Sequence, residues 1–460
     1  MNGAGGTHLD KDILEGTAEP EVSLEADSMA AKEEAYERFV WDNLKRNYIG
    51  NYLHGMLGMT GFRLVNAPTF LPAYLHLISG SNSVVGIALG LQQVGSVISP
   101  IFGATQIEHR TKVMPAAIWM GGLARVQIVG MALAGWFLHG QPLIYAMMAL
   151  MFLFGLFMGT QRVVFGFLMG KVIPLSRRGR LQAWRNATGS LIAAVLAYAA
   201  GKYIIKANLF GNGYSTTFAL AAFLTTCGLW ALQVLLREPE PPNLPEKSKF
   251  GDRLKDFPQL ILGDRGYAWF LVMQMLGTAG RAATPFYAIY VTHLMTTMGE
   301  VHGATGTGAF LGLLGTAFIG ADAISNLVWG YMGDKTGFKL VLTLSMAMSV
   351  ASTVLLMTVH APWAFFLAFF GLGASQSGYM MAAQTMILEF GTREEMPMRI
   401  AISSMAEGIM ASLGPLAAGI MADRLGYPVV FSTSICFLAV GLGILTVFVR
   451  EPRTARLAVS

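Results

Sequence analysis

Long apolar runs broken by short polar clusters dominate the chain. A helix rises 1.5 Å per residue, so about 20 apolar residues cross the hydrocarbon of a bilayer. Twelve runs approach or exceed that length: residues 49–78, 83–105, 113–138, 142–171, 182–205 and 215–236, then 267–295, 306–331, 338–359, 361–388, 399–422 and 428–449. The pattern predicts an all-α polytopic membrane protein with twelve transmembrane helices in two pseudo-symmetric six-helix bundles, residues 47–236 and 267–450. Between them, residues 237–266 carry Pro239, Pro241, Pro242 and Pro245, followed by an amphipathic piece with Phe250, Leu254 and Phe257, as a central loop would. Residues 1–30, rich in Gly, Glu and Asp, read as a disordered tail. In residues 33–47, Phe39, Val40, Trp41 and Leu44 stand among charges, as in a helix lying in the membrane interface or a solvated lead-in helix. Residues 1–46 thus form one N-terminal piece and 451–460 a short C-terminal tail. No basic segment precedes an apolar one there, so the first span is expected to start insertion, with no cleaved signal.

Charge sets the expected orientation. With both termini placed in the cytoplasm, 24 of the 32 Lys and Arg residues fall on inner segments, and only Lys202, Lys206 and Arg424 on outer loops. Basic residues are retained on the cytoplasmic side, so this asymmetry predicts a cell-membrane protein with both ends inside. The remaining five, Arg63, Arg125, Arg162, Arg185 and Arg281, lie within the spans.

Composition agrees and narrows the class. Hydrophobic residues are 54% of the chain, charged residues 13%, and the mean hydropathy is +0.51, outside the habit of soluble domains. The net charge of +5 is spread between the apolar runs, which argues for lipid headgroups and against nucleic acid. Cys227 and Cys436 lie inside apolar segments without metal-ligand spacing. The chain has no phosphate-binding loop, no His-Glu-x-x-His and no nucleophile elbow, so neither an enzyme nor a cofactor is expected, and an ion or solute gradient remains as the energy source.

The halves repeat each other. Leu236-Arg237-Glu238-Pro239 ends the sixth span and Val449-Arg450-Glu451-Pro452 the twelfth; Pro68 with His76-Leu77 in the first span matches Pro285 with His293-Leu294 in the seventh. Gly103 and Lys112 pair with Gly330 and Lys339, and Arg180 and Gly189 with Arg399 and Gly408. Two similar halves with a site between them are what an alternating-access transporter requires.

Between the eighth and ninth runs lies Gly330-Tyr331-Met332-Gly333-Asp334-Lys335-Thr336-Gly337-Phe338-Lys339, which reads as a charged turn. It looks like the signature loop of the major facilitator superfamily, Gly-x-x-x-Asp-Arg/Lys-x-Gly-Arg/Lys-Arg/Lys, with Gly330, Asp334, Lys335, Gly337 and Lys339 at the family positions and Phe338 replacing one base. The resemblance covers about residues 45–452 and implies gating roles for those residues, for Gly103, Glu108 and Arg110 in the first-half loop, and for Arg180 and Arg399. In the first-half loop Ile107 stands where the family has Asp, with Glu108 one position later. Pro174 to Arg180 is similar to the family's Pro-x-x-Arg-Gly-Arg pattern. Drug:proton antiporters keep a fourth-span arginine where this chain has Met151, and a fifth-span Gly-Pro-x-x-Gly-Gly that is missing here.

Charge inside a membrane is expensive and marks function. Arg63 and Arg281 each lie about 14 residues into the first and seventh spans, near the midplane. Two readings stand. The guanidiniums face one cavity and bind an anion, since Arg presents a fork suited to carboxylate or phosphate, an arrangement similar to the organophosphate:phosphate antiporters of the superfamily; or each pairs with a buried acid such as Asp322 or Glu407. Asn66, Gln161, Gln274 and Arg125 complete the expected substrate site. Asp322 and Glu407, the acids deepest in the spans, are the candidates for proton coupling. The expected protein is a monomeric secondary transporter of a small, anionic organic solute, coupled to H⁺ or to exchange; an exporter of amphipathic compounds and a non-transporting receptor on the same fold are the alternatives.

Overall fold

The structure, a computed structural model, describes residues 19–107, 111–240, 261, 263–300, 303–390 and 396–449. The described residues are almost entirely helical, with no strand among them. A leading helix α1 (Glu19–Asp42) breaks at Asn43 into α2 (Leu44–Asn66), then α3 (Phe70–Ser79), α4 (Asn82–Ile107), α5 (Met114–Phe137), α6 (Gly140–Val172), α7 (Leu175–Ala199) and α8 (Gly213–Leu235). The second half holds α9 (Arg265–Gly280), α10 (Thr284–Thr297), α11 (Gly303–Thr336), α12 (Phe338–Thr358), α13 (Pro362–Ile387), α14 (Met396–Leu425) and α15 (Tyr427–Val447). Among the described residues, eight helices are each long and apolar enough to cross a membrane.

Twelve spans are present, but two are not continuous. The first is α2 and α3, separated by Ala67-Pro68-Thr69; the seventh is α9 and α10, separated by a 3-10 turn at Arg281–Ala283 just before Pro285. Proline removes an amide and clashes with the preceding turn, so the two repeated prolines interrupt the helices where hydropathy runs on unbroken. The fifth span continues α7 through a π-helical turn at Ala200–Ile205. Two expectations are corrected. Helix begins at Glu19, inside the stretch read as disordered, and residues 33–47 belong partly to α1 and partly to α2 because the chain bends at Asn43. The signature segment is not a loop: Gly330 to Thr336 are the last two turns of α11, and the reversal falls on Gly337 alone.

The two halves are joined unevenly. One buried core runs through both, from Leu64, Phe70 and Phe154 to Phe286, Phe318 and Phe431. Two separate cores, around Tyr267 and Phe390 in the second half and around Val164 and Leu181 in the first, lie toward the end where α2 starts and α15 finishes. We call that the tail end, and the opposite one, where α3 meets α4 and α14 meets α15, the far end.

Close helix approach explains the joined core. The Cβ that Gly86 of α4 lacks would lie 2.2 Å from the carbonyl oxygen of Pro415 on α14, and that of Gly201 would lie 2.5 Å from the Cα of Gly312 on α11. Only glycine permits such backbone contact. Asp423 of α14 accepts from the Asn82 and Ser83 amides and the Ser81 hydroxyl at the start of α4, at 2.7–2.8 Å, and so covers orphan donors of that helix N-terminus. Toward the tail end the contact gives way. The face of α11 that carries Gly308, Gly312 and Thr316 continues at helical spacing into Ile324, Leu327, Val328 and Tyr331, all exposed. The bundles therefore meet at the far end and part toward the tail end.

Candidate functional site

Both arginines predicted to face the cavity lie beside the helix breaks. The Arg63 carbonyl accepts the Ala67 amide at the end of α2, and Arg281 is the first residue of the 3-10 turn. A broken helix exposes backbone groups at mid-membrane and marks the usual place for a solute site in transporters.

Arg63 forms an ion pair with Asp322 of α11, so the contact bridges the two halves. Asp322 is 9% exposed in its side chain and Arg63 21%. Beside it, the Gln92 amide donates to Asn66 Oδ1 at 2.8 Å, joining α4 to the end of α2. Asn66 is exposed, and its amide nitrogen donates to the Phe62 carbonyl at 2.9 Å.

Arg281 stands in a denser network. Its guanidinium covers the Tyr379 ring at 3.7 Å, donates to Gln376 Oε1, Thr278 Oγ1 and the Gly277 carbonyl at 3.3 Å each, and lies 3.7 Å from Glu407. Gln274 donates to Glu407 at 3.3 Å and accepts from Ser403. Gly277 makes room for this layer, since a Cβ there would meet the Tyr379 hydroxyl at 2.5 Å. Asp322 and Glu407, the two candidates for proton coupling, thus sit in two sites, each beside one arginine.

The sequence placed Arg125 and Gln161 beside those arginines. The structure holds Arg125 inside the first bundle, 3% exposed, donating to the Thr225 and Gly121 carbonyls at 2.7 and 2.6 Å and to Gln161 at 3.4 Å, with Phe62 against its face at 5.4 Å. Its Nη2 is buried with no partner. Arg185 of α7 was not selected from the sequence, yet its Nε is also buried and unpartnered, and its only hydrogen-bond acceptor among the described residues is the Met169 sulfur at 3.7 Å. It crosses where Gly55 of α2 has no side chain: a Cβ there would come within 1.6 Å of Nε. His54 next to it stacks on Phe165 at 4.6 Å, with Nδ1 buried and unpaired. The Gly55–Arg185 relation was invisible in the sequence because it depends on two helices crossing; only the intramembrane position of Arg185 hinted at it.

Of the expected gating residues, Gly337 closes the turn at φ 88° and ψ 158°, a region open essentially to glycine. Gly333 admits the Phe338 ring, which would approach a Cβ there to 2.4 Å. Lys335 lies over Tyr331 at 4.4 Å, and Lys339 donates to the Thr446 carbonyl near the end of α15, where the helix dipole favours a cation. Asp334 is exposed on the last turn of α11. Arg399 pairs with Asp264 at 2.8 Å and lies over Tyr267, fastening α14 to the start of α9. Arg180 is exposed near the start of α7. Gly103 lies in α4, while Glu108 and Arg110 are outside the described residues. Gly337→Ala is expected to destabilise the protein by about 1–3 kcal/mol, the cost of forcing a side chain into that backbone conformation. Gly330→Ala, with only Met381 within 4 Å of a new Cβ, should leave the melting temperature unchanged; equal melting for both variants would contradict the turn assignment.

Reading the sequence missed a tail-end clamp in the first bundle. Glu238 accepts from the Val113 and Met114 amides at 2.7–3.0 Å and pairs with Lys171 at 2.7 Å, with both side chains less than a tenth exposed. The repeated Arg-Glu-Pro had marked the position without revealing its partner.

Two six-helix bundles, each with one broken span and an arginine–carboxylate pair beside the break, have the architecture of a secondary transporter. The family model of the Major Facilitator Superfamily matches residues 53–310 and 286–459, and the chain belongs to that superfamily. Among curated relatives it is similar to the multidrug resistance protein MdtG of Escherichia fergusonii, 24% identical over 407 residues, covering 86% of this chain and 92% of the relative. MdtG of Salmonella choleraesuis is 30% identical over 169 residues, 36% of this chain and 40% of the relative. Among solved structures, the nucleoside transporter NupG (D323A mutant) superposes with a TM-score of 0.70 at 11% identity, covering 88% of this chain and 100% of that one. A D-xylose-proton symporter gives 0.69 at 13% identity, over 89% and 99%. These solved structures corroborate the fold. Family and fold identify an integral membrane transporter of small molecules, not an enzyme.

Proposed function

We propose that the protein moves a small organic anion by alternating access, together with a proton. The observation that carries this reading is the imbalance of buried charge. Asp322 and Glu407 each hold an arginine, whereas Arg125 and Arg185 have no carboxylate among the described residues. The interior keeps an excess of positive charge that an anion would balance.

The pairing also supports a sign for the coupling. An anion reaches Arg63 or Arg281 only when Asp322 or Glu407 releases it, and a proton on the carboxylate is what releases it. Proton and anion binding then favour each other, and linkage makes the effect reciprocal. The basic residues support cytoplasmic termini, an orientation in which the parted tail end is the inward-facing one.

A second reading has its own support in the relatives named multidrug resistance protein: export of a cationic amphipath. A cation would compete with the proton for Asp322 or Glu407, and the linkage would reverse. Binding of small carboxylates and phosphate esters, measured by thermal shift or calorimetry from pH 8 to 5.5, is expected to tighten as pH falls, by up to about tenfold per unit for one linked proton. Anion binding that weakens on acidification would overturn the symport reading, and stabilisation by lipophilic cations alone would replace it with export.

A further inference from the structure

At the tail end, α2 and α7 leave a groove of about 530 Å³ between them. Each helix lines it with basic residues in its opening turns, Lys45 on α2 and Arg177 and Arg180 on α7, followed by apolar and aromatic ones, Tyr48 and Ile49 on α2 and Trp184 on α7. None of these three bases has a hydrogen-bond or ion-pair partner among the described residues, unlike Lys171, Arg178 and Arg399 nearby in the tail end. On its α7 side the groove is turned away from the face that meets the other half. The α7 face that meets α11 carries Ala194, Ala197 and Gly201, whereas Trp184 continues at helical spacing into Leu191, Val195 and Tyr198. That second row is exposed and apolar, as a surface in contact with lipid chains is.

The level of the groove is equally telling. Lys45 lies in the first turn of α2 and Arg177 and Arg180 in the first two turns of α7, where the spans emerge from the hydrocarbon. Trp41 at the end of α1 is half exposed at the same end, as an interfacial anchor would be. Three unpaired bases at headgroup depth, above an aromatic slot that runs into an apolar track, match one kind of molecule in both parts. We infer that this groove binds an anionic phospholipid. The phosphate sits among Lys45, Arg177 and Arg180, with Arg supplying a bidentate fork, and one acyl chain lies along Tyr48, Ile49 and Trp184. Each base near an anionic membrane surface adds to the attraction, so the three together favour an anionic headgroup over a zwitterionic one. Arg180, expected from the family resemblance to serve the gate, acts in this groove as a lipid contact.

The test uses the full chain, purified in a mild detergent and depleted of lipid. Phosphatidylglycerol is added in steps, with retained lipid counted by native mass spectrometry and melting temperature followed in parallel. Phosphatidylglycerol should be retained and raise the melting temperature, and phosphatidylcholine should do so at least about tenfold less effectively. The triple variant Lys45→Gln, Arg177→Gln, Arg180→Gln changes only exposed side chains and should remain folded while losing that preference. Trp184→Ala should weaken retention of both lipids by removing the wall against the chain. Equal retention of both lipids by the unaltered protein, or an unchanged preference in the triple variant, overturns the proposal. So does full stabilisation by inorganic phosphate alone, which would make the groove a site for soluble anions.

Discussion

Asp322→Asn is expected to stop coupled transport and to lower stability by about 3–5 kcal/mol, because it leaves the Arg63 guanidinium charged and unpaired between the bundles. Arg63→Gln should be milder in stability, since the isolated Asp322 can take a proton and become neutral, and equally severe in transport. The informative variant is the double one. Replacing both partners of a buried pair is often near neutral for stability, so Arg63→Gln with Asp322→Asn should recover most of the melting temperature. If the pair serves proton-linked binding, uptake in proteoliposomes stays lost in the double variant. Recovered uptake would show that the pair only braces α2 against α11, and the proton-linked reading would fall.

Gly201→Ala is expected to shift the conformational balance rather than unfold the protein. The new methyl group meets backbone atoms of Gly308 and Gly312, which cannot rotate away as a side chain can. Overpacking of this kind costs about 1–3 kcal/mol, and the cost falls only on the state in which the far end is shut. A penalty of that size moves a two-state balance by a factor of roughly 5 to 150. The measurement is labelling of Ser81→Cys at the far end, in a protein freed of Cys227 and Cys436, which should quicken in the Gly201→Ala background. Gly166→Ala, with nothing within 4 Å of its new methyl, is the control. Equal labelling in both would mean that the glycine contact does not hold the far end closed.

How much of this was legible in the sequence depends on what kind of information each feature needs. Twelve spans could be read because hydropathy is a property of consecutive residues, and the prolines at 68 and 285 announced the breaks, although the apolar runs on either side concealed them. The signature segment was recognisable by residue type, but its form was misread: Gly330 and Gly333 suggested a turn, while continuous helical hydrogen bonding carries α11 to Thr336 and leaves the reversal to Gly337. The pairing of Arg63 with Asp322 links residues 259 apart in the chain. A single sequence could offer the acid only as one of two options, because partner choice is set by helix crossing and rotation. Arg185 lay further out of reach, since its placement depends on the missing side chain of Gly55. Glu238 resembled a polar residue at the end of a span until the buried Lys171 and the start of α5 were placed against it.

The broken first and seventh spans carry one more consequence. Their far-end pieces, α3 of 10 residues and α10 of 14, pack on their own halves and on each other: Tyr74 of α3 stacks on Tyr214 of α8 at 5.0 Å, Tyr290 of α10 meets Phe431 of α15 at 5.2 Å, and α3 touches α10 across the halves. A short helix hinged at a proline can tilt without carrying six others with it. Small local motions run in nanoseconds to microseconds, whereas whole bundles rock in microseconds to milliseconds. Because the two short helices also touch each other, a tilt of one bears on the other, and the two breaks are joined across the far end.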